Sequence, residues 1–155
     1  MLQVGDRAPD FSLPSHEGTM FHLGEQRGKK VILYFYPKDN TPGCTREACS
    51  FQDHLAVVRK KNAVVVGVST DSLRSHTSFA EKYGLSFPLL SDEKKEVVKR
   101  YGVWKKKSLY GKTYYGIERT TFIIDENGTI ANIFSKVKVD GHLNEVLEAL
   151  SKGEQ

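Results

Sequence analysis

Two uninterrupted apolar segments in the first half of the chain constrain its fold most strongly. Val31–Tyr36 and Ala63–Ser69 consist mainly of β-branched, aliphatic and aromatic residues. A strand with one solvated face alternates apolar and polar residues, so continuous runs of this length predict strands buried on both faces, as in a parallel sheet. Stretches with helical periodicity alternate with these strands. The chain is therefore predicted to be an α/β protein with a central mixed β-sheet flanked by helices.

Turn and capping signals place the remaining elements around those two strands. Residues 4–23 are rich in turn residues and predict a small N-terminal β-hairpin. An Asn-Gly turn joins two further strands, Thr120–Asp125 and Thr129–Phe134, into a second hairpin. Residues 103–116 are ambiguous and are interpreted as a loop. The other predicted elements are a helix from Thr41-Pro42 to about Lys60, helices over Ser72–Tyr83, Glu93–Tyr101 and Leu143–Leu150, and a short strand over Phe87–Leu90.

Length and composition exclude several classes of protein. The chain has 155 residues with 39% hydrophobic composition, which suits a single domain over residues 1–155. Two cysteines are too few for a disulfide scaffold. No apolar run approaches the ~20 residues of a membrane span, and the N-terminus lacks a hydrophobic signal region. We therefore expect a soluble cytoplasmic protein with no membrane partner.

The net charge of +4 comes largely from short lysine clusters. One interpretation is a nucleic-acid-binding patch, and the other is solvated surface. The sequence contains no zinc-finger spacing, RNA-binding aromatic motif or long basic stripe, so solvated surface is favoured and no nucleic-acid partner is expected. The clusters are Lys60-Lys61, Lys94-Lys95 and Lys105-Lys106-Lys107.

The segment after the first apolar run carries the chemistry. Thr41 suits the N-cap of a helix and Pro42 suits its first residue, which makes Cys44 the third residue after the cap. A thiolate there meets free backbone N–H groups and the positive end of the helix dipole. Both favour the ionised, nucleophilic form of the sulfur. The spacing predicts an activated cysteine.

The helix also has a regular apolar stripe that begins at Cys44. This predicts that Cys44 faces the core in a sheltered pocket at the end of the strand Val31–Tyr36. An isolated cysteine on such a stripe is usually a small buried hydrophobe. The preceding Thr-Pro-Gly and the second cysteine favour a functional role. The stripe consists of Cys44, Ala48, Phe51, Leu55 and Val58.

Cys49 follows Cys44 by five residues. In an ideal helix their Cα atoms are about 8.6 Å apart, beyond the ~7 Å reach of a disulfide. A bond between them therefore requires the first helical turns to unwind, which makes the pair a candidate redox switch rather than a Cys-x-x-Cys site. A zinc site is disfavoured, because it would need more cysteines or histidines and the histidines lack ligand spacing. No metal or cofactor is expected. The histidines are interpreted as surface or packing residues: His16, His22, His54, His76 and His142.

The pattern Pro37-x-x-x-Thr41-x-x-Cys44 resembles the active-site motif of the peroxiredoxins. With Cys49 five residues later, it is similar to the Q subfamily, also called bacterioferritin comigratory protein. Similarity extends over nearly the whole chain, including the early segment 4–11 and the late segment 116–125. The resemblance implies a thioredoxin-like fold and a thiol-dependent peroxidase acting on hydrogen peroxide and organic hydroperoxides.

The resemblance also implies the roles of individual residues. Cys44 would attack the peroxide and become a sulfenic acid, Cys49 would condense with it to a disulfide, and a thioredoxin-like partner would reduce that disulfide. Thr41 would hydrogen-bond the thiolate and the peroxide, and Pro37 would shield the pocket from water. Arg119 would hold a positive charge beside the sulfur, although a surface ion pair is the alternative. A monomer is expected, with a dimer as the alternative.

Two other functions remain open from the residues alone. A thioredoxin-like disulfide reductase is disfavoured by the Cys-x₄-Cys spacing and by Thr120 before Thr121, where thioredoxins have proline. A non-enzymatic redox sensor or holdase would use the same switch to bind a partner. Three aromatic residues are candidates to line the pocket, but core packing is the favoured interpretation for each: Tyr36, Phe51 and Trp104. Asp71 and Glu118 are candidates to orient Arg119 or the helix start.

Overall fold

Residues 1–152 are described by a computed structural model, and they form nine strands and five α-helices. The last three residues of the predicted domain, 153–155, lie outside the described residues. The strands are β1 (Ser12–Pro14), β2 (Met20–His22), β3 (Lys30–Phe35), β4 (Ala63–Ser69), β5 (Leu89–Ser91), β6 (Trp104–Leu109), β7 (Lys112–Ile117), β8 (Thr120–Ile124) and β9 (Ile130–Phe134). The helices are α1 (Pro42–Asp53), α2 (Leu55–Lys60), α3 (Leu73–Tyr83), α4 (Glu96–Arg100) and α5 (His142–Lys152).

The central sheet has the strand order β5-β4-β3-β8-β9. The two apolar segments, β3 and β4, pair in parallel, and β5 extends the parallel half. The strands of the late hairpin, β8 and β9, pair antiparallel, and β8 joins the sheet antiparallel to β3. β1 and β2 form a separate antiparallel hairpin near the N-terminus. The predicted mixed sheet and N-terminal hairpin are therefore confirmed.

Successive side chains of β3 point to opposite faces of the sheet and enter two different cores. Val31, Leu33 and Phe35 belong to one core, whereas Ile32 and Tyr34 belong to the other. The second core also receives the apolar stripe of α1 and α2, as predicted. Its members are all buried: Cys44, Ala48, Phe51, Leu55 and Val58.

The helix predicted to run from Thr41-Pro42 to about Lys60 is interrupted at His54, which separates α1 from α2. The ring Nδ1 of His54 lies 3.1 Å from the carbonyl oxygen of Ser50, the acceptor that its own backbone N–H would use in a continuing helix. That N–H instead bonds the carbonyl of Phe51, which tightens the turn. The side chain therefore competes with the backbone for one acceptor.

The prediction of a loop over residues 103–116 is wrong, because most of these residues form the β6–β7 hairpin. The two strands are joined by Tyr110 and Gly111, with φ of 51° and 76°. Two positive φ values indicate the turn type that matches the twist of a tight hairpin. Most positions of this ribbon are exposed, so it lacks the apolar alternation that identifies a strand in a sequence.

Smaller differences concern element ends. α3 follows its prediction closely, with Ser72 accepting from the N–H of Ser75 and Gly84 ending the helix at φ 63°. α4 is shorter than predicted because Lys95 before it takes a left-handed conformation with φ 64°. The strand predicted over Phe87–Leu90 forms over Leu89–Ser91 instead. Among the described residues, no helix combines the length and apolar character needed to cross a bilayer.

Candidate active site

The first turn of α1 places Cys44 at the end of the central sheet. Thr41 has an extended backbone with φ −83° and ψ 152°, and Pro42 is the first helical residue. Cys44 is therefore the third residue after the N-cap, as predicted. Helical N–H groups at this position lack intrahelical partners, and the helix dipole favours negative charge there.

The side chain of Thr41 does not cap α1, contrary to the expectation from its N-cap position. Its hydroxyl donates to the carbonyl oxygen of Lys38, at 2.8 Å. Pro42 offers no N–H, and the hydroxyl turns back to the preceding loop instead of forward to the helix. The oxygen of Thr41 keeps its lone pairs free to accept a hydrogen bond.

Arg119 reaches Cys44 from the residue before β8. Its Nη2 donates to Sγ of Cys44 at 3.3 Å, and the side chain of Cys44 is only 1% exposed. A Cβ on Gly43 would stand 3.2 Å from Nη2, so the absence of a side chain there gives the guanidinium room. The fold thus brings together two predicted site residues that are 75 positions apart in the sequence.

Glu47 holds the other side of the guanidinium. Nη1 of Arg119 donates to Oε1 of Glu47 at 2.6 Å, and the Glu47 side chain is 1% exposed. Its second oxygen, Oε2, is buried with no hydrogen-bond partner. Burial raises the pKa of Glu47 to about 7, and the charge of Arg119 offsets only part of that effect. Arg119 is therefore fixed between a sulfur and a carboxyl group.

Sequence reasoning missed Glu47. A charged residue beside an apolar stripe normally faces solvent. The available signal was its position three residues after Cys44, on the same side of the helix. The two acids considered instead do not contact Arg119 through any hydrogen bond described: Asp71 accepts from the N–H of Asp39, and Glu118 donates its backbone N–H to Val103.

The other two predicted site residues, Pro37 and Cys49, have different surroundings. Pro37 is half-buried in the loop after β3, separated from the strand by Tyr36. Cys49 is partly exposed on α1, and both cysteines are free thiols. Burial and the neighbouring charge of Asp53 raise the pKa of the Cys49 thiol. Because α1 is continuous from Pro42 to Asp53, Cys49 faces away from Cys44 in this reduced form.

Comparisons with known proteins agree with this geometry. Residues 4–133 match the AhpC/TSA family. The chain belongs to this family. A relative from Coxiella burnetii, provisionally named peroxiredoxin bcp, is 54% identical over 149 residues, which cover 96% of this chain and 99% of the relative.

Solved structures of the family superpose closely on this chain. A Cys-to-Ser variant of PrxQ from Xylella fastidiosa has a TM-score of 0.95 and 38% identity, covering 100% of this chain and 99% of the other. A bacterioferritin comigratory protein of Xanthomonas campestris, studied for its alkyl peroxide reduction activity, has a TM-score of 0.92 and 38% identity over 99% of this chain and 100% of that chain. The predicted resemblance to Q-type peroxiredoxins is confirmed, as is the thioredoxin-like fold. This AhpC/TSA member is a thiol-dependent peroxidase.

The predicted aromatic residues pack mainly in the cores of this peroxidase. Phe51 is fully buried with its ring centroid 4.9 Å from that of Tyr34. Tyr36 is 1% exposed, and its hydroxyl donates to Asp39. Trp104 is partly buried against the first core, with the Lys95 ammonium over its ring.

A polar cluster behind the active-site loop was also missed from the sequence. Ligand atoms of Asp39, Asp71 and His76 lie within 4.8 Å of one another, a grouping that also suits a metal ion. Nδ1 of His76 lies 2.7 Å from Oδ2 of Asp39. Two ligands of one tetrahedral zinc ion stand about 3.3 Å apart. The shorter distance is that of a direct hydrogen bond, so these residues fit an ion pair better than a metal site.

One lysine of the clusters interpreted as solvated surface also approaches the site. Lys107 is partly buried on β6, and its ammonium donates to the carbonyl of Ile117. Burial lowers the pKa of Lys107, and the positive charge of Arg119 lowers it further. The β6–β7 hairpin therefore adds a second cation to the surroundings of Cys44.

Proposed function

We propose that Cys44 is the residue that attacks the peroxide in this family member. The observation that carries the proposal is the hydrogen bond from Arg119 to a buried sulfur in the first turn of a helix. The guanidinium and the helix N-terminus both stabilise a thiolate. In the attack, the sulfur bonds to the terminal oxygen of ROOH and the O–O bond breaks. Cys44 becomes a sulfenic acid, and the leaving oxygen takes a proton and departs as an alcohol, or as water from hydrogen peroxide.

The neighbouring residues would assist this displacement. Arg119 donates to Sγ in the resting form, and its fixed charge would stabilise the negative charge that develops on the peroxide oxygens. Thr41 already donates its hydroxyl proton to Lys38, so we assign it as the acceptor for the O–H of the bound peroxide. Pro37, half-buried in the loop after β3, would keep water from the pocket.

Cys49 is proposed as the residue that resolves the sulfenic acid. Its thiolate attacks the sulfur of Cys44, the S–S bond forms as the S–O bond of the sulfenic acid breaks, and the departing hydroxide takes up a proton and leaves as water. The ~8.6 Å between the two Cα atoms in an intact helix requires α1 to unwind first. A thioredoxin-like dithiol would then reduce the disulfide by exchange and become oxidised itself.

Both hydrogen peroxide and organic hydroperoxides are proposed substrates. The studied activity of the Xanthomonas campestris relative supports the organic class. The attacked atom is the terminal oxygen in both classes, so the substituent R changes the fit of the peroxide to the pocket and the identity of the leaving group, but not the bond that breaks.

The test is peroxide consumption coupled to thioredoxin, thioredoxin reductase and NADPH. We expect sustained turnover by the wild type with hydrogen peroxide and with an alkyl hydroperoxide. The same preparation assayed with insulin as a disulfide substrate separates the peroxidase from a disulfide reductase. Consumption of no more than one equivalent of peroxide under excess reductant would contradict the proposal and favour a redox sensor.

A further inference from the structure

The loop between β3 and α1 is fixed at its midpoint by Asp39, which the proposed chemistry does not use. The carboxylate is buried and both of its oxygens are occupied. Oδ1 accepts from the Tyr36 hydroxyl at 2.6 Å, whereas Oδ2 accepts from the Ser75 hydroxyl and lies against His76 Nδ1, both at 2.7 Å. The backbone N–H of Asp39 donates to Oδ2 of Asp71 at 2.8 Å.

Both ring nitrogens of His76 face hydrogen-bond acceptors. The side chain is 0% exposed, and Nε2 lies 2.9 Å from the carbonyl oxygen of Leu90. A carbonyl only accepts, so Nε2 carries a proton. Nδ1 faces a carboxylate that already accepts from two hydroxyl groups, so Nδ1 is also a donor. Both ring nitrogens of His76 therefore lie against acceptors, which is the arrangement of an imidazolium ion paired with ionised Asp39.

The surroundings of Asp39 agree with its ionised state. Burial by itself favours the neutral acid, but hydrogen bonding and charge from His76, with the hydroxyl donors, outweigh it and lower the pKa of Asp39. The charged and titratable groups in contact with the pair are the Tyr36 hydroxyl, which also lies 3.4 Å from His76 Nδ1, and Asp71 on the backbone of Asp39.

The ion pair holds the segment that would bind the peroxide. Asp39 lies between Lys38, whose carbonyl accepts the Thr41 hydroxyl, and Asn40, which has a left-handed φ of 63°. A left-handed asparagine leads the chain abruptly from the loop into α1. A displacement of Asp39 would therefore move both Pro37 and Thr41 relative to Cys44.

The anchors of the pair are independent of α1. His76 belongs to α3 and bonds the backbone of β5 at Leu90, and neither element contains a proposed reacting residue. We propose that the Asp39–His76 ion pair holds the peroxide-binding loop Pro37–Thr41 in place, including when α1 unwinds, and that His76 is a positioning residue for peroxide reduction. This inference rests on the proposed function, because it gives the loop a peroxide to bind.

The proposal predicts that loss of the ion pair slows peroxide reduction but not alkylation of Cys44. A misplaced Thr41 impairs the reaction that needs an oriented peroxide, whereas alkylation of the Cys44 thiolate by iodoacetamide needs no such orientation. In a Cys49→Ser background, where Cys44 is the sole remaining cysteine, we expect His76→Gln to lower the second-order rate constant with peroxide about 10- to 100-fold. The alkylation rate is expected to stay nearly unchanged.

His142→Gln is the matched control. His142 is the other strongly buried histidine, 2% exposed on α5, and it bonds Thr121 rather than the loop. The ratio of peroxide rate to alkylation rate should not change in this variant. A His76→Gln variant with an unchanged ratio, or with both rates reduced in parallel, would overturn the positioning role.

A measurement on the wild type covers the case in which His76→Gln does not fold. Nitrogen-15 NMR of the reduced protein at neutral pH should show two protonated ring nitrogens on His76. A single protonated nitrogen would overturn the ion pair. This result is independent of catalysis: if the wild type failed to consume peroxide, the proposed function would fail while the NMR result still decided the charge of His76.

Discussion

Cys44 and Cys49 lie five residues apart on one helix but have opposite surroundings. Cys44 is 1% exposed and receives a hydrogen bond from a guanidinium. Cys49 is partly exposed, and burial and the charge of Asp53 raise its pKa. One sulfur thus has a cation beside it, whereas burial and a nearby negative charge oppose ionisation of the other. The phase of the helix, more than the sequence neighbours of each cysteine, produces the difference in surroundings on which we base the proposal that Cys44 is the nucleophile.

Each cysteine also has one acid near it, and the two acids act differently. Glu47, near Cys44, is buried, ion-paired to Arg119 and raised in pKa to about 7. Asp53, near Cys49, is exposed at the end of α1. The acid near Cys44 serves to fix a cation, whereas the acid near Cys49 simply opposes ionisation of the thiol.

The largest expected effect comes from exchanging the two cysteines for serine. Cys44→Ser should abolish peroxide reduction, because burial and the charge of Asp53 oppose ionisation of the remaining thiol, Cys49. Cys49→Ser should consume about one equivalent of peroxide per chain and then stall under thioredoxin, with a sulfenic acid prone to overoxidation. Mass spectrometry of Cys44 after peroxide treatment checks this. Full thioredoxin-driven turnover by Cys49→Ser would remove Cys49 from the resolving role.

Loss of the cation should be the next largest effect. Arg119→Met should slow the reaction with peroxide about 100-fold, because a donor aimed at the developing charge is lost. The thiolate fraction of Cys44 at neutral pH, measured by ultraviolet absorbance, should also fall. Arg46→Met on the same helix is the control, since the Arg46 side chain is 59% exposed and pairs with Asp140. Equal rates for both variants would show that Arg119 is structural.

Oxidation should erase the difference in burial between the two cysteines by unwinding α1. Amides of residues 44–52 should exchange with deuterium at least about tenfold faster in the disulfide form, whereas β3 and β8 should stay protected. The oxidised protein should also unfold at lower denaturant concentration than the reduced one. Equal protection of α1 in both forms, with the Cys44–Cys49 disulfide confirmed by mass, would contradict the switch.

The acid near Cys44 should make stability depend on pH. Because the pKa of Glu47 is raised from 4.5 to about 7, the folded state keeps its proton in an interval where the unfolded chain has lost it. That stabilisation is complete below pH 4.5 and is lost as pH rises through about 7. The wild type should lose on the order of 3 kcal/mol relative to Glu47→Gln across this interval. Urea unfolding of both proteins at several pH values checks this, and parallel profiles would contradict it.

The smallest effect is expected at the acid near Cys49. Asp53→Asn should lower the pKa of Cys49, but only partly, because burial is the larger cause of its shift. In a Cys44→Ser background, alkylation of Cys49 near neutral pH should accelerate about twofold, and added salt should reduce the difference. An identical alkylation rate in both proteins would assign the raised pKa to burial alone.

Much of the site could be predicted where local rules apply. Thr41 and Pro42 fix the start of α1 and hence the position of Cys44, and the period of the apolar stripe gives the direction of its side chain. The hydrogen bond of the Thr41 side chain could not be predicted, because the hydroxyl donates to the carbonyl of Lys38 in the loop instead of accepting from a backbone N–H of α1. The break at His54 similarly depends on one ring nitrogen competing for one carbonyl.

The sequence by itself therefore determined the mixed sheet, the helix that begins before Cys44 and the spacing of the two cysteines. These follow from hydrophobic period and capping, which act over a few residues. Only the tertiary structure decided that Arg119 is fixed between Cys44 and Glu47, and that Asp39 is paired with His76. Both arrangements join residues far apart in the chain and depend on burial, which gives charges and hydrogen bonds their strength and which no local pattern records.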